Sequence, residues 1–160
     1  MSLFLDSLGH LYPYEKITSS VAETSDLFVA PYPNSTTRKV IFDVYLAYIR
    51  EFRRTITTEF THWLDGSFMS PKLNPKDLDC VVFLDYRIFE QKEDAIFNAL
   101  WKYRDMELDA FISPIYPIGH SLRANTEEKL DYWTRLFSSS RPDPITKMEV
   151  PKGFIEIIFK

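Results

Sequence analysis

Two aspartates near the middle of the chain have the spacing of metal ligands. Asp77 and Asp79 stand at the start of a short apolar run, and residues two apart on a strand point to the same face. Their carboxylates can therefore converge on one cation. Acid-x-acid triplets are common, however: with 23 acids among 160 residues chance yields about three, and the chain holds three. The surrounding sequence must decide whether this triplet has a chemical role.

A glycine–serine pair precedes these aspartates by one connection. Gly66 lets the backbone approach a phosphate closely, and adjacent N–H groups with the Ser67 hydroxyl can bind phosphate oxygens. Lys76 stands directly before Asp77 and is a candidate for contact with the same phosphates. The opposing interpretation makes Gly66-Ser67 an ordinary turn and Lys76 a solvated loop lysine. Asp65 is expected to be a turn residue, with support of the site as its alternative role.

A third acid completes the candidate set. Asp109 lies in the β-favouring segment 107–112, where a buried carboxylate is costly unless it binds something. The spacing permits its strand to neighbour that of Asp79. One to three carboxylates, completed by water and substrate phosphates, suit Mg²⁺, and two such ions could clamp an in-line displacement at phosphorus. The alternative is that Asp109 is a strand-edge acid paired with a lysine or arginine.

The elements that must position these residues alternate between helices and strands. Apolar residues recur at three- and four-residue steps from Ile41 to Phe52, which predicts a helix over 36–54. Capping-box spacing predicts helix starts at Ser20 and Asn125, and Pro114 is expected to end a strand. Extended segments are predicted at 59–64, 79–84, 107–113 and 153–159, and further helices at 20–28, 90–104 and 125–137. This order favours an α+β fold, a mixed sheet flanked by helices.

Composition narrows the classes of protein. A chain of 160 residues with 45% apolar and 26% charged residues suits a single domain over 1–160. The net charge of −4 argues against general nucleic-acid binding. The single cysteine, Cys80, excludes an internal disulfide and a cysteine-based zinc cluster. Because the sequence has neither a membrane-length apolar run nor a signal-peptide pattern, we expect a cytoplasmic protein without membrane association.

The segments 63–68 and 74–79 together resemble the signature of the DNA polymerase beta-type nucleotidyltransferase superfamily. In that superfamily a Gly-Ser pair precedes an acid-x-acid pair, and a third acid follows on a later strand. The roles that the resemblance implies are phosphate contact for Ser67 and metal coordination for Asp77, Asp79 and Asp109.

The fuller pattern is similar to an uncharacterised bacterial branch of that superfamily, close to the minimal and antitoxin-like nucleotidyltransferases. The similar segments are 9–13, Tyr132-Trp133 and 151–153. One departure concerns phosphate binding. The minimal nucleotidyltransferases usually have basic residues directly after Gly-Ser, where this chain has 68–70, Phe-Met-Ser.

The resemblance implies transfer of a nucleoside monophosphate, with AMP the first expectation, from a nucleoside triphosphate to a protein or small-molecule acceptor. Mg²⁺ or Mn²⁺ would be the cofactor. Asp109 would complete the metal site or act as general base for the acceptor hydroxyl. A toxin-like partner protein is the first acceptor to test. The alternative is a catalytically inactive nucleotide-binding or toxin-neutralising module of the same fold, which the missing basic residues favour.

Overall fold

A computed structural model describes residues 3–160, so residues 1 and 2 of the domain predicted over 1–160 lie outside the described part. The strands are β1 (Phe4–Leu5), β2 (Leu11–Tyr12), β3 (Lys16–Thr18), β4 (Phe60–Asp65), β5 (Leu78–Asp85), β6 (Leu108–Ile115) and β7 (Phe154–Phe159). The helices are α1 (Val21–Phe28), α2 (Arg38–Thr55), α3 (Tyr86–Arg104) and α4 (Arg123–Phe137). A short 3₁₀ turn at Ser67–Met69 follows β4. None of the helices in this range combines the length and the apolar character needed to span a bilayer.

Five of these strands form one mixed sheet in the order β3-β7-β4-β5-β6. The strand β4 is antiparallel to both of its neighbours, whereas the two outer pairs, β3 with β7 and β5 with β6, are parallel. The helix α3 makes the connection that parallel β5 and β6 require. The strands β1 and β2 pair separately. This architecture confirms the predicted α+β class with a mixed sheet flanked by helices.

One face of the sheet packs against α1, α2 and α3 and forms the main core. The apolar stripe predicted for α2 is confirmed, since Ile41, Tyr45, Tyr48, Ile49 and Phe52 are all buried. The strand β5 contributes alternate residues, Cys80 among them, to the same core. Burial of this stripe contributes to the apolar stabilisation of the fold.

The opposite face packs against α4 and forms a smaller core. Its buried members are Trp63, Val81, Phe83, Trp133, Phe137 and Phe154. Because β5 sends residues into both cores, its apolar run is nearly continuous, as the sequence predicts for a strand covered on both faces.

Of three predicted helix or strand ends, one agrees with the structure and two differ from it. Ser20 caps α1 with the predicted capping box to Glu23. The helix α4 begins two residues before the predicted cap, at Arg123, and the hydroxyl of Thr126 instead accepts a hydrogen bond from the Tyr116 N–H. Pro114 does not end β6 but lies within it. A proline is tolerated there because β6 is an edge strand, with one side that forms no ladder hydrogen bonds.

Candidate functional site

Three aspartates lie side by side across adjacent strands at one end of the sheet. Asp65, the last residue of β4, is in register with Asp79 of β5, and Asp79 is in register with Asp109 of β6. All three point to the face covered by α4, because Val81, two residues beyond Asp79, packs in the α4 core. The strands of Asp79 and Asp109 are therefore neighbours, as the spacing permits.

Asp77 precedes β5 by one residue and is half-buried. It lies close enough to Asp79 for its charge to raise the pKa of that carboxyl. Over residues 3–160, no three histidine, cysteine, aspartate or glutamate side chains are arranged to hold a metal ion. Asp77, Asp79 and Asp109 thus share one end of the sheet without meeting at a common coordination point.

Four charged side chains around Asp79 influence its pKa. Burial raises its pKa from 3.8 to about 6, and the negative charges of Asp77 and Asp109 act in the same direction. Arg141 and Lys152 act in the opposite direction and lower it. An ionised Asp79 is therefore held at a free-energy cost, which a bound cation would relieve.

Asp65 forms an ion pair with Lys152, which lies two residues before the start of β7. The Lys152 Nζ donates to both carboxylate oxygens, at 2.6 Å from Oδ2, and the side chains are only 17% and 7% exposed. Burial nevertheless raises the pKa of Asp65 to about 6, against the influence of Lys152. The interpretation of Asp65 as a turn residue is wrong, because it is the buried end of β4. Sequence reasoning missed Lys152, whose only signal was its place in the segment 151–153.

Gly66 brings the backbone against the carboxylate of Asp79. Its φ of 88° and ψ of −169° belong to a region that residues with a Cβ rarely adopt. A Cβ at this position would lie 2.5 Å from Oδ2 of Asp79. Glycine is required here for two reasons, and the group that it approaches in the structure is a carboxylate.

Ser67 and Lys76 lie at the two ends of the loop between β4 and β5. Ser67 opens the 3₁₀ turn and is half-exposed, and its carbonyl accepts a hydrogen bond from the Ser70 hydroxyl at 2.6 Å. Lys76 is exposed just before Asp77. Both residues are accessible to a ligand at the aspartate end of the sheet, and their predicted phosphate contacts stay a prediction.

Arg38 holds the loop that follows Gly66. This buried side chain on the first turn of α2 donates hydrogen bonds to the backbone carbonyls of Phe28, Phe68, Ser70 and Lys72. Burial lowers the pKa of Arg38. Sequence reasoning missed this residue because no local pattern distinguishes it from a solvated arginine. Its hydrogen bonds fix the backbone on which Ser67 is presented.

Asp109 has a cationic neighbour of its own. The Nε of Arg104, the last residue of α3, lies 3.7 Å from Oδ1 of Asp109, and the two side chains are 53% and 36% exposed. An exposed pair of this kind contributes little to stability. The interpretation of Asp109 as a strand-edge acid near an arginine therefore describes its position correctly, while its role as a metal ligand or base stays a prediction.

Comparison with protein families places nearly the whole chain in one of them. A family described as "Family of unknown function (DUF6932)" matches residues 4–158. The chain belongs to this family. No curated protein and no solved structure matches it. In this DUF6932 member, Asp65, Asp79 and Asp109 form what we call the aspartate row, and this row lies beside the Gly66-Ser67 motif.

Proposed function

We propose that this protein catalyses metal-dependent nucleotidyl transfer, moving AMP from ATP to a hydroxyl of a protein or a small molecule. The observation that carries the proposal is the register of Asp79 with Asp109 beside the Gly66-Ser67 turn. Carboxylates at strand ends next to a close-approach glycine are suited to a metal–triphosphate substrate. The resemblance of the motif to nucleotidyltransferases points to the same reaction.

The donor set fits Mg²⁺ or Mn²⁺. Asp77, Asp79 and Asp109 supply carboxylate oxygens. Burial, and after it the charges of Asp77 and Asp109, raise the pKa of Asp79, and a bound cation would favour its ionised form. Because the three carboxylates do not meet at one coordination point among residues 3–160, we assign Asp77 and Asp79 to hold the metal and Asp109 to activate the acceptor. Bound there, a divalent ion supplies positive charge for the phosphate oxygens and orients the triphosphate.

Phosphate binding is assigned to residues on both sides of the aspartates. Ser67 offers its hydroxyl and the 3₁₀ turn its N–H groups, on a backbone that Arg38 fixes. The segment 68–70 lacks basic residues, but Arg141 approaches the aspartates from the connection between α4 and β7 and influences Asp79. Together with Lys76, Arg141 supplies the positive charge that a triphosphate requires.

The acceptor hydroxyl would be activated by Asp109, the half-exposed member of the row. Asp109 takes the hydroxyl proton as the acceptor oxygen bonds to the α-phosphorus and the bond to pyrophosphate breaks. A toxin-like partner protein is the acceptor that we would test first, in a cytoplasmic setting where ATP and Mg²⁺ are abundant.

A catalytically inactive nucleotide-binding or toxin-neutralising module is the second candidate. The observation that favours it is the internal pairing of two acids, Asp65 with Lys152 and Asp109 with Arg104. A cation from the chain beside Asp109 reduces the negative charge available to a metal. Nucleotide binding could then persist on Asp77 and Asp79 without transfer.

The substitution Asp109→Asn separates these two candidates. It retains the size of the side chain and removes the charge, so we expect nucleotide affinity in Mg²⁺ to stay within about tenfold of the parent, about 1.4 kcal/mol. Transfer of label from α-labelled ATP should fall at least about a hundredfold, as expected for a lost general base. Asp94→Asn, on the exposed side of α3, is the matched control and should leave both quantities unchanged.

The assay offers all four nucleotides, with the neighbouring gene products and a cell lysate as sources of acceptor. Parent protein that binds nucleotide but transfers none under these conditions would favour the inactive module. Equal transfer by the parent and Asp109→Asn would exclude Asp109 as the base.

A further inference from the structure

The open edge of β6 borders a groove that the proposed reaction does not use. β6 is the last strand of the five-stranded sheet. A cavity of about 310 Å³ runs along it between α3 and α4, and Ala110, Phe111 and Ile112 form its floor. The groove therefore combines an unpaired strand edge with two helical walls.

The backbone groups on this edge can be assigned from the ladder. The N–H of Leu78 donates to the carbonyl of Glu107, and the register from there to the end of β6 is continuous. In a parallel pair, the backbone N–H and C=O groups of alternate residues bond to the neighbouring strand. The backbone groups of the odd-numbered residues of β6 therefore point towards β5. The N–H and C=O groups of Ala110 and Ile112 therefore point outward, and Pro114, which lacks an N–H, stands at the next outward position.

The aromatic side chains on the floor and walls of the groove are partly exposed to solvent. Trp101 is 62% exposed, Phe111 39% and Phe97 38%, and Trp133 closes the inner side against Phe111 with ring centroids 5.0 Å apart. Large apolar side chains clustered beside free backbone groups are typical of surfaces that bind another chain.

The charged residues that line the groove are both cations. Arg104 lies at the end of α3, with its guanidinium 5.5 Å from the Trp101 ring centroid, and Lys129 lies on α4. The chain as a whole has a net charge of −4, whereas both charged residues that line the groove are positive, and Arg104 also lies 3.7 Å from Asp109. A second copy paired edge to edge would bring the cations of both copies together, which disfavours self-association.

We propose that this groove binds an extended acidic segment of a partner protein, which adds to β6 as a sixth strand. Its backbone pairs with the outward groups of Ala110 and Ile112, its apolar side chains contact the aromatic walls, and its carboxylates approach Arg104 and Lys129. Apart from Arg104, which also lies beside Asp109, the proposal rests on residues outside the aspartate row, and it stands whether or not the protein transfers nucleotides.

Binding of designed peptides to the full chain, followed by fluorescence anisotropy, tests this. The probe is a capped, labelled nonapeptide of alternating aspartate and valine. We expect it to bind at least about tenfold more tightly than the same peptide with lysine for aspartate, or with every backbone amide N-methylated, because each control loses one class of contact.

Variants of the protein locate the site. Lys129→Glu should weaken the aspartate peptide at least about tenfold and improve binding of the lysine peptide. Arg135→Glu, on the same helix but outside the groove, is the matched control and should change neither. Ala110→Pro removes one outward N–H that the sheet does not use, so it should fold and lose the peptide, whereas Ala110→Val should keep it.

Four results would overturn the proposal. They are equal binding of the aspartate and lysine peptides, equal binding of the N-methylated peptide, no detectable binding of any probe, and a parent dimer in sedimentation that Ala110→Pro dissociates. The last result would assign the groove to a second copy of the chain. Each readout differs from nucleotide transfer, so failure here is separate from failure of the proposed reaction.

Discussion

The two faces of the five-stranded sheet differ in what covers them and in how they treat polar groups. Three helices and a broad apolar core cover one face, and α4 with a small aromatic core covers the other. On the first face His62 is fully buried, and burial lowers its pKa to about 3, so it is neutral at physiological pH. On the second face the carboxylate of Asp65 is buried and that of Asp79 is half-buried, and burial raises the pKa of both.

The difference between the two faces indicates which surroundings allow a charged site in a small domain. In the thick core, formed with α1, α2 and α3, burial favours the neutral form of His62, because isolated charge is too costly to bury. The buried guanidinium of Arg38 differs, since four backbone carbonyls accept its hydrogen bonds. A thin cover leaves the strand ends close to solvent and within reach of Lys152 and Arg141, so carboxylates persist there as anions. The predictions below test this contrast.

The largest effect is expected from truncation in the thick core. Phe52 is fully buried, and Phe52→Ala should lower the free energy of unfolding by about 3–5 kcal/mol through lost burial and a cavity. Phe111→Ala, on the α4 face and 39% exposed, should cost about 1 kcal/mol. Urea denaturation measures both, and equal losses would contradict the contrast between the faces.

The next effect is a pH dependence that belongs to the thick core. The folded-state pKa of His62, about 3, lies below its ordinary value of 6.5, so below about pH 6.5 the unfolded chain binds a proton that the folded chain does not. Stability due to this histidine is therefore complete above pH 6.5 and is lost as the pH falls towards 3. By pH 4 we expect a loss of about 3 kcal/mol.

Unfolding free energies of the parent and of His62→Phe, measured from about pH 8 to pH 4, check this prediction. The two curves should run parallel above about pH 7 and converge or cross below it as only the parent loses the histidine contribution. Curves that stay parallel to pH 4 would mean that folded His62 takes up a proton, contrary to its burial.

A smaller effect on stability is expected from the buried ion pair on the face covered by α4. Lys152→Met leaves Asp65 without its cation and should cost about 2–3 kcal/mol at about pH 8, slightly below the range for fully buried pairs because Lys152 is 17% exposed. Lys39→Met, which breaks the exposed pair with Asp43, is the matched control and should cost less than about 0.5 kcal/mol.

The double variant Asp65→Leu/Lys152→Met should recover most of that loss, because an apolar pair leaves no charge buried. Thermal or urea unfolding of the four proteins gives the coupling energy directly. If Lys152→Met behaves like Lys39→Met, then Asp65 and Lys152 do not form a buried pair in solution.

The parts that sequence determined by itself are those with a local period or a local cap. The apolar stripe of α2, the two-sided apolar run of β5 and the capping box at Ser20 each depend on residues within a few positions of one another. The spacing of Asp79 and Asp109 across one strand–helix–strand unit permits their strands to be neighbours, and the pairing itself comes from the structure. Strands as short as β1 and β2, two residues each, have no such period and were not predicted.

Only the tertiary structure decided the surroundings of the aspartates. Lys152 is separated from Asp65 by 87 positions, and Arg38 reaches the carbonyl of Phe68 across 30. Pro114 is accommodated because β6 is at the sheet edge, which depends on the order of all five strands. Hydrogen bonds and ion pairs between distant segments produce no periodic pattern in the sequence, because the residues between the two partners are not constrained by the contact. The alignment of Asp65, Asp79 and Asp109 across three strands therefore depends on the folded structure. The same is true of the positions of Lys152, Arg141 and Arg104 near these aspartates.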